Sequence, residues 1–216
     1  MPADLKGIPL FQGVQESDLR ALAERTVSRS YPKQAIIVNE GDESDSLYLI
    51  LAGRVKIYLS DDNGKELILA IKGPGQYFGE MVLDEQPRAA SVITLEPAQF
   101  AVLSRADFRA FLLKHAEVAL QLIQNLIHVA RGLNQNVRSL AMLDVYGRVA
   151  RMLLELAVER DGKMVIPERL TQKDLAARVG ASREMINRIL RDLTTGGYVS
   201  VEHGRITINK APPTRW

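Results

Sequence analysis

The chain has 216 residues, no cysteine, and 28 Lys+Arg against 26 Asp+Glu, for a formal net charge of +2. That length fits one to two domains of ~150 residues, and 46% hydrophobic with 25% charged residues is the composition of an ordinary globular chain. Zero cysteine excludes a disulfide scaffold, a thiolate zinc site, a cysteine-ligated iron–sulfur cluster and a thiol nucleophile, and fits a reducing compartment.

The chain opens Met-Pro-Ala-Asp-Leu-Lys, without the apolar stretch of a secretory leader. A short helix follows, capped by Ser17-Asp18, with Leu19, Leu22 and Ala23 on one face. From residue 27 to 104 the pattern is short β-rich runs: Ala35–Val38, Leu47–Leu51, Val55–Leu59, Leu67–Ile71, Ser91–Leu95 and Phe100–Leu103. Turn signals separate them, among them Asn39-Glu40-Gly41-Asp42, Gly73-Pro74-Gly75 and Glu96-Pro97. Asn63-Gly64 between two apolar runs predicts a type I′ hairpin, whose two central residues need positive φ. Many short strands without long intervening helices predict an antiparallel barrel or jelly roll. Its longest apolar run, Leu47–Ala52, is six residues, so no membrane helix is expected and a cytoplasmic location fits.

Helix then takes over. Ser104 caps a short helix over 105–113. Residues 117–143 carry Leu122, Leu126, Val129, Leu133, Val137 and Leu140 at spacings of three and four. Twenty-seven residues reach roughly 40 Å, and so long an apolar stripe is covered most economically by a second copy, which predicts a parallel coiled-coil dimer. Another amphipathic helix is expected over 145–159, with Val149, Met152, Leu153 and Leu156 inward.

Residues 171–190 predict two short helices joined by a tight turn at Gly180. Thr171 caps the first, with Asp174 at the capping-box position, and Ser182 caps the second. Leu175, Ala176, Val179, Ile186, Ile189, Leu190 and Leu193 lock the pair, leaving Arg183, Glu184, Asn187, Arg188 and Arg191 outward. Tyr198–Val201, His203-Gly204 and Arg205–Ile208 read as a β-hairpin wing. Residues 145–216 hold 13 Lys+Arg and 8 Asp+Glu, net +5, so residues 1–144 are net −3. A basic final third faces a polyanion. In a major groove Arg183 can fork onto guanine and Glu184 can accept from cytosine, while Arg188 lies one turn further along the same face. Thr171, Lys173 and Ser182 lie near helix N-termini, where phosphates are held.

Phe78–Ser91 is the second constellation. Gly79 lets a ligand approach the backbone, residues 80–83 can start a short helix with free N–H groups, Arg88 offers a fork for a phosphate, and Glu80 can accept a ribose hydroxyl.

On these residues the whole chain resembles the cyclic-AMP receptor protein (CRP/FNR) family of bacterial transcription factors, over residues 8–209. The resemblance implies an α+β fold: an N-terminal β-roll (jelly-roll) sensor over 1–115, a long dimerisation helix and hinge over 116–143, and a C-terminal winged helix-turn-helix over 144–216. Phe78–Ser91 is similar to the family's phosphate-binding cassette, and its Pro-Arg-Ala-Ala ending to the cassettes of kinase regulatory domains. That implies cyclic-nucleotide contacts from Gly79, Glu80, Met81, Arg88 and Ala89. Arg88 would take the cyclic phosphate, Glu80 the ribose 2′-hydroxyl, and Gly79 and Ala89 would act through backbone groups.

Residues 181–188 are similar to the family's recognition helix. This implies DNA contacts from Thr171, Lys173, Ser182, Arg183, Glu184, Asn187, Arg188 and, in the wing, Gly204 and Arg205, with a TGTGA-type half-site. Leu143–Arg148 resembles the family's hinge, placing it at Asp144. The pattern departs from the family at four places. Ala89 stands where a Ser follows the cassette Arg, Leu133-Asn134 where a Thr-Ser pair meets the adenine, and Met185 where the recognition helix has a hydroxyl. The loop at Asp161–Lys163 is shorter than the one that touches polymerase. Asn134 is the candidate base contact.

The expected protein is therefore a homodimeric DNA-binding regulator, not an enzyme. Its expected effector is a cyclic nucleotide, cyclic AMP first, with RNA polymerase as a further partner and no metal, haem or membrane. Cyclic di-GMP, another metabolite or constitutive binding remain alternatives for the effector. A cupin-like metalloenzyme would need histidines on the roll, and His115, His128 and His203 lie elsewhere.

Overall fold

The computed structural model describes residues 5–202 and 204–213, so His203 at the wing's turn lies outside the described residues. Two compact units form, one of residues up to 61 with 68–129, the other of 62–67 with the rest of the chain from 130.

In the first unit a 3-10 turn over Pro9–Phe11 precedes α1 (Glu16–Glu24). Its N-cap is Gln15 and no side chain caps it; Ser17 and Asp18 lie inside the first turn, which corrects the expected cap. Eight strands follow: β1 (Val27–Tyr31), β2 (Ile36–Val38), β3 (Ser46–Ala52), β4 (Val55–Ser60), β5 (Glu66–Lys72), β6 (Tyr77–Phe78), β7 (Ser91–Thr94) and β8 (Ala98–Ser104). They form two four-stranded sheets, ordered β1-β8-β3-β6 and β2-β7-β4-β5. The jelly-roll expectation holds, with β1 and β6 added. β1 has four exposed residues and a polar composition, and β6 has two residues, so neither carries an apolar run. Between β4 and β5 only Gly64 of the Asn63-Gly64 pair has positive φ, so the connection is not the predicted type I′ turn.

Period-2 alternation divides β3 and β8 between two cores. Leu47, Leu49, Ala101 and Leu103 pack against Leu19 and Leu22 of α1, against Phe108 and Phe111 of α2 (Arg105–Lys114), and against Val118 and Leu122 of α3 (Ala116–Met142). Ile50 and Phe100 point the other way, joining Val38, Val55, Phe78 and Val92 between the sheets. Ser104 caps α2 as expected, accepting from the Asp107 N–H.

Leu122 is 4% exposed inside this core, so it is not part of a free dimer face as expected. The seam left open on α3 is Ile123, Leu126, Leu133, Val137 and Leu140, with Leu133 50% exposed. With Ala130 it repeats at spacings of three and four without a break. Val129 is exposed beside it.

In the second unit α4 spans Val145–Leu156 and stops short of the expected 159. Val158–Arg160 instead forms β9, paired with β10 (Lys163–Val165). These strands extend the wing: the sheet order is β11-β12-β10-β9, with β11 Val199–Glu202 and β12 Arg205–Ile208. Helices α5 (Gln172–Val179) and α6 (Arg183–Thr195) pack with α4 on one face of that sheet, burying Val149, Leu153, Leu175, Ile186, Leu193, Val199 and Ile206.

Candidate functional site

In the first unit a 3-10 turn over Glu80–Asp84 opens at Gly79, whose φ of +83° is left-handed. A Cβ there would lie 2.6 Å from Arg88 Nη1 and 2.9 Å from the Ser46 carbonyl oxygen, so only glycine fits between the cassette and β3. Arg88 is held by its backbone: its N–H donates to the Asp42 carbonyl and its carbonyl accepts from Gly41 N–H, both at 2.8 Å.

The Arg88 side chain is the unusual group. The residue is 7% exposed, and Nε and Nη1 have no hydrogen-bond partner. Nη2 lies 3.8 Å from Asp45 Oδ1, a carboxylate on a side chain 84% exposed, and the guanidinium stands 5.6 Å from the Tyr48 ring centre. Burial pushes the Tyr48 hydroxyl pKa up, with the Arg88 cation opposing it. A buried guanidinium with free donors is costly unless an anion completes it.

Arg88 lines a half-open cavity of about 100 Å³, smaller than the ~300–1,000 Å³ typical of small-ligand sites. Gly79, Glu80, Met81, Arg88 and Ala89 line it together, as the sequence pattern groups them. Val38, Ile57 and Val92 supply an apolar wall from the sheet of β2, β4 and β7. Sequence reasoning missed these three, and also Ser44 and Lys72. Lys72 Nζ donates to the Tyr77 carbonyl at 2.7 Å. No local signal marks them, because strand pairing brings them together across the roll. Asn134 stands exposed on α3, in the second unit.

The second unit carries the other candidate site. Thr171 and Asp174 form a complete capping box on α5: Thr171 Oγ1 accepts from Asp174 N–H at 3.1 Å, and Asp174 Oδ2 accepts from Thr171 N–H at 2.9 Å. Gly180 closes α5 in the left-handed region with φ +68°, making the turn. Ser182 caps α6, accepting from Met185 N–H at 3.2 Å. Arg183, Glu184, Asn187, Arg188 and Arg191 are exposed on α6 while Ile186, Ile189 and Leu193 are buried, as the spacing predicts. Gln172 Nε2 donates to Asn187 Oδ1 at 3.1 Å, so Asn187 also ties the two helices. Lys173 and Arg205 are exposed, and Gly204 has φ +77° beside the wing turn.

The Glu184 carboxyl is held below its usual range by backbone N–H at the start of α6, then by the Ser182 hydroxyl. It is an ionised acceptor at neutral pH. Asp144 caps α4, accepting from Gly147 N–H at 2.7 Å, where α3 ends and α4 begins. Arg148 donates to the carbonyls of Leu143 and Val179, each at 3.0 Å, tying that junction to the end of α5.

Among the described residues, no group of three or more His, Asp or Glu could hold a metal ion. No described helix is long and apolar enough to cross a membrane.

Comparison with known proteins bears on both sites. Residues 28–115 match the model of the cyclic nucleotide-binding domain, and residues 147–212 that of the Crp-like helix-turn-helix domain. The chain is 34% identical over 205 residues to the CRP-like cAMP-activated global transcriptional regulator of Mycobacterium tuberculosis, covering 93% of this chain and 92% of that one. It is 32% identical over 208 residues to the cyclic AMP receptor protein of Thermus thermophilus, covering 96% and 95%. Among solved structures it resembles the c-di-GMP responsive global regulator CLP of Xanthomonas campestris, at a TM-score of 0.69 and 26% identity over 86% of this chain and 94% of that one. It also resembles the Thermus thermophilus catabolite activator protein, at 0.57 and 30% over 94% of each.

Proposed function

This chain belongs to the CRP/FNR family of bacterial transcriptional regulators, DNA-binding proteins with a cyclic-nucleotide-binding domain rather than enzymes, and we propose that it is a homodimer whose grip on DNA is set by cyclic AMP. The observation that carries this reading is Arg88, a buried guanidinium with two free donors lining a cavity beside Gly79 and Glu80. A cyclic phosphate supplies the missing acceptors, and a ribose 2′-hydroxyl can donate to the Glu80 carboxylate. Ala89 and Met81 border the phosphate end, and Asn134 is the proposed base contact. The relatives named cAMP-activated favour adenine.

The dimer forms along Ile123, Leu126, Ala130, Leu133, Val137 and Leu140, the open seam of α3. Two α6 helices, about 34 Å apart, enter successive major grooves and read a TGTGA-type palindrome. Arg183 and Arg188 take guanine edges, Glu184 takes cytosine, and Thr171, Lys173, Ser182, Asn187, Gly204 and Arg205 hold the backbone. Nucleotide shifts the equilibrium between two arrangements about the hinge at Asp144, by a coupling of ~1–3 kcal/mol. RNA polymerase is the proposed partner once the dimer is on DNA.

Cyclic di-GMP is the second reading. The structural relative from Xanthomonas responds to it, and Lys72 puts a second cation on the cavity wall. Isothermal titration with cyclic AMP, cyclic GMP and cyclic di-GMP separates the two. Heat from cyclic AMP that disappears in Arg88→Ala supports the first, and heat from cyclic di-GMP alone replaces it with the second. Sedimentation of Leu133→Glu tests the dimer, which should fall to monomer because a charge enters the seam.

A further inference from the structure

The first residue of α2 is Arg105, a cation where the helix dipole favours an anion, so the helix itself gives no reason for it. Its reason lies in the tertiary structure. The Arg105 guanidinium donates through Nη2 to the Ser44 carbonyl, and its backbone N–H donates to the Asp45 carbonyl at 2.7 Å. Its Nη1 lies 3.8 Å from Glu85 Oε1. Ser44 is buried and lines the cavity, and Asp45 carries the carboxylate that faces Arg88. Glu85 ends the cassette's 3-10 turn with φ +61°, left-handed for a residue that is not glycine. A backbone in that region needs outside support to stay there.

Arg105 thus hydrogen-bonds the Ser44–Asp45 turn and stands within ion-pair distance of the exit of the cassette, and Arg88 lies three residues beyond that exit. We propose that Arg105 is a positioning residue for the anion site, a clamp that holds the turn and the cassette at the spacing at which Arg88 receives a phosphate. This rests on the reading of Arg88 as the phosphate ligand. Arg105 does not touch the ligand; it fixes the two walls between which the guanidinium works.

The test is titration of cyclic AMP into the full-length protein and its Arg105→Gln and Arg105→Lys variants. Hydrogen exchange of the Gly41 and Arg88 amides in nucleotide-free protein is the second measurement, since these two amides bond the turn region to the cassette. In Arg105→Gln, binding should weaken about tenfold and both amides should exchange about tenfold faster, while other strands of the roll keep their rates. Arg105→Lys should fall between, because one ammonium can meet Ser44 or Glu85 but not both. Unchanged exchange at the two amides overturns the proposal whatever the affinity does, and so does faster exchange spread evenly over the whole roll. If the parent protein takes up no cyclic AMP, the effector assignment fails, and the exchange comparison alone decides the clamp.

Discussion

The two units hold their candidate cations in opposite ways. In the first, Arg88 is buried with two unpartnered donors and lines a half-open cavity. In the second, Arg183, Arg188 and Lys173 stand in solvent on capped helices. A buried guanidinium has already lost its water, so a single anion that fits gains nearly the full charge-assisted bonding, little screened by salt. Exposed cations keep their water and act together on a polyanion, so their binding falls steeply with salt. On the proposed reading, the same residue type serves selectivity for one small anion in one unit, and steering with groove readout in the other.

The comparison breaks most visibly at Arg88. On the proposed reading, Arg88→Ala removes two or more charged hydrogen bonds to the phosphate, each worth ~1.5–3 kcal/mol. Cyclic-nucleotide affinity should fall by about 10²–10⁴-fold in a titration, with DNA binding of the nucleotide-free protein unchanged. Next comes Leu175→Ala, a cavity in the core of the second unit alone. It should cost ~2–5 kcal/mol of that unit's stability while the first unit's melting, followed by calorimetry, stays in place. Arg183→Ala should cost ~1–3 kcal/mol of DNA affinity and relax one base position in a site-selection experiment. A loss equal on all sequences would make it a phosphate contact instead. Thr171→Ala removes half of the capping box and should cost ~1 kcal/mol in chemical denaturation.

The smallest effect is one of pH. The Ser104 hydroxyl, then Arg25, hold the Asp107 carboxyl below its usual range at the start of α2. Its folded pKa is depressed, so its contribution is present at neutral pH and above the ordinary Asp range, and is lost as pH falls through the lower folded value. Asp107→Asn should melt slightly below the parent protein at neutral pH, and the gap should close in acid.

The helical parts were largely legible. Ser104, Thr171, Asp174, Gly180 and Ser182 cap or turn as read, because caps and helix faces are set by residues three or four apart. The cassette was legible for a similar reason, since Gly79, Glu80 and Arg88 lie within ten residues of one another. The β9–β10 hairpin was not: Val158–Val165 is too short and too polar to outcompete the helical pattern preceding it, and only pairing with β12 makes it a strand. Leu122 and Ile123 show the same limit at single-residue scale. Both are apolar on one helix, and only packing against α1, α2 and β3 decides which is core and which is free.

The sequence by itself determined two units of opposite charge, a jelly roll followed by helices, a capped helix-turn-helix with an Arg-rich face, and the grouping of Gly79, Glu80 and Arg88 in one segment. The tertiary structure alone decided the apolar wall of Val38, Ile57 and Val92 and the stretch of α3 left open. It also decided the burial of Arg88 and the placing of Arg105 between the Ser44 carbonyl and Glu85. Helical sites are encoded at short sequence separation, whereas a pocket between paired strands is made by residues tens of positions apart, whose register becomes fixed only when the two sheets close over their common core.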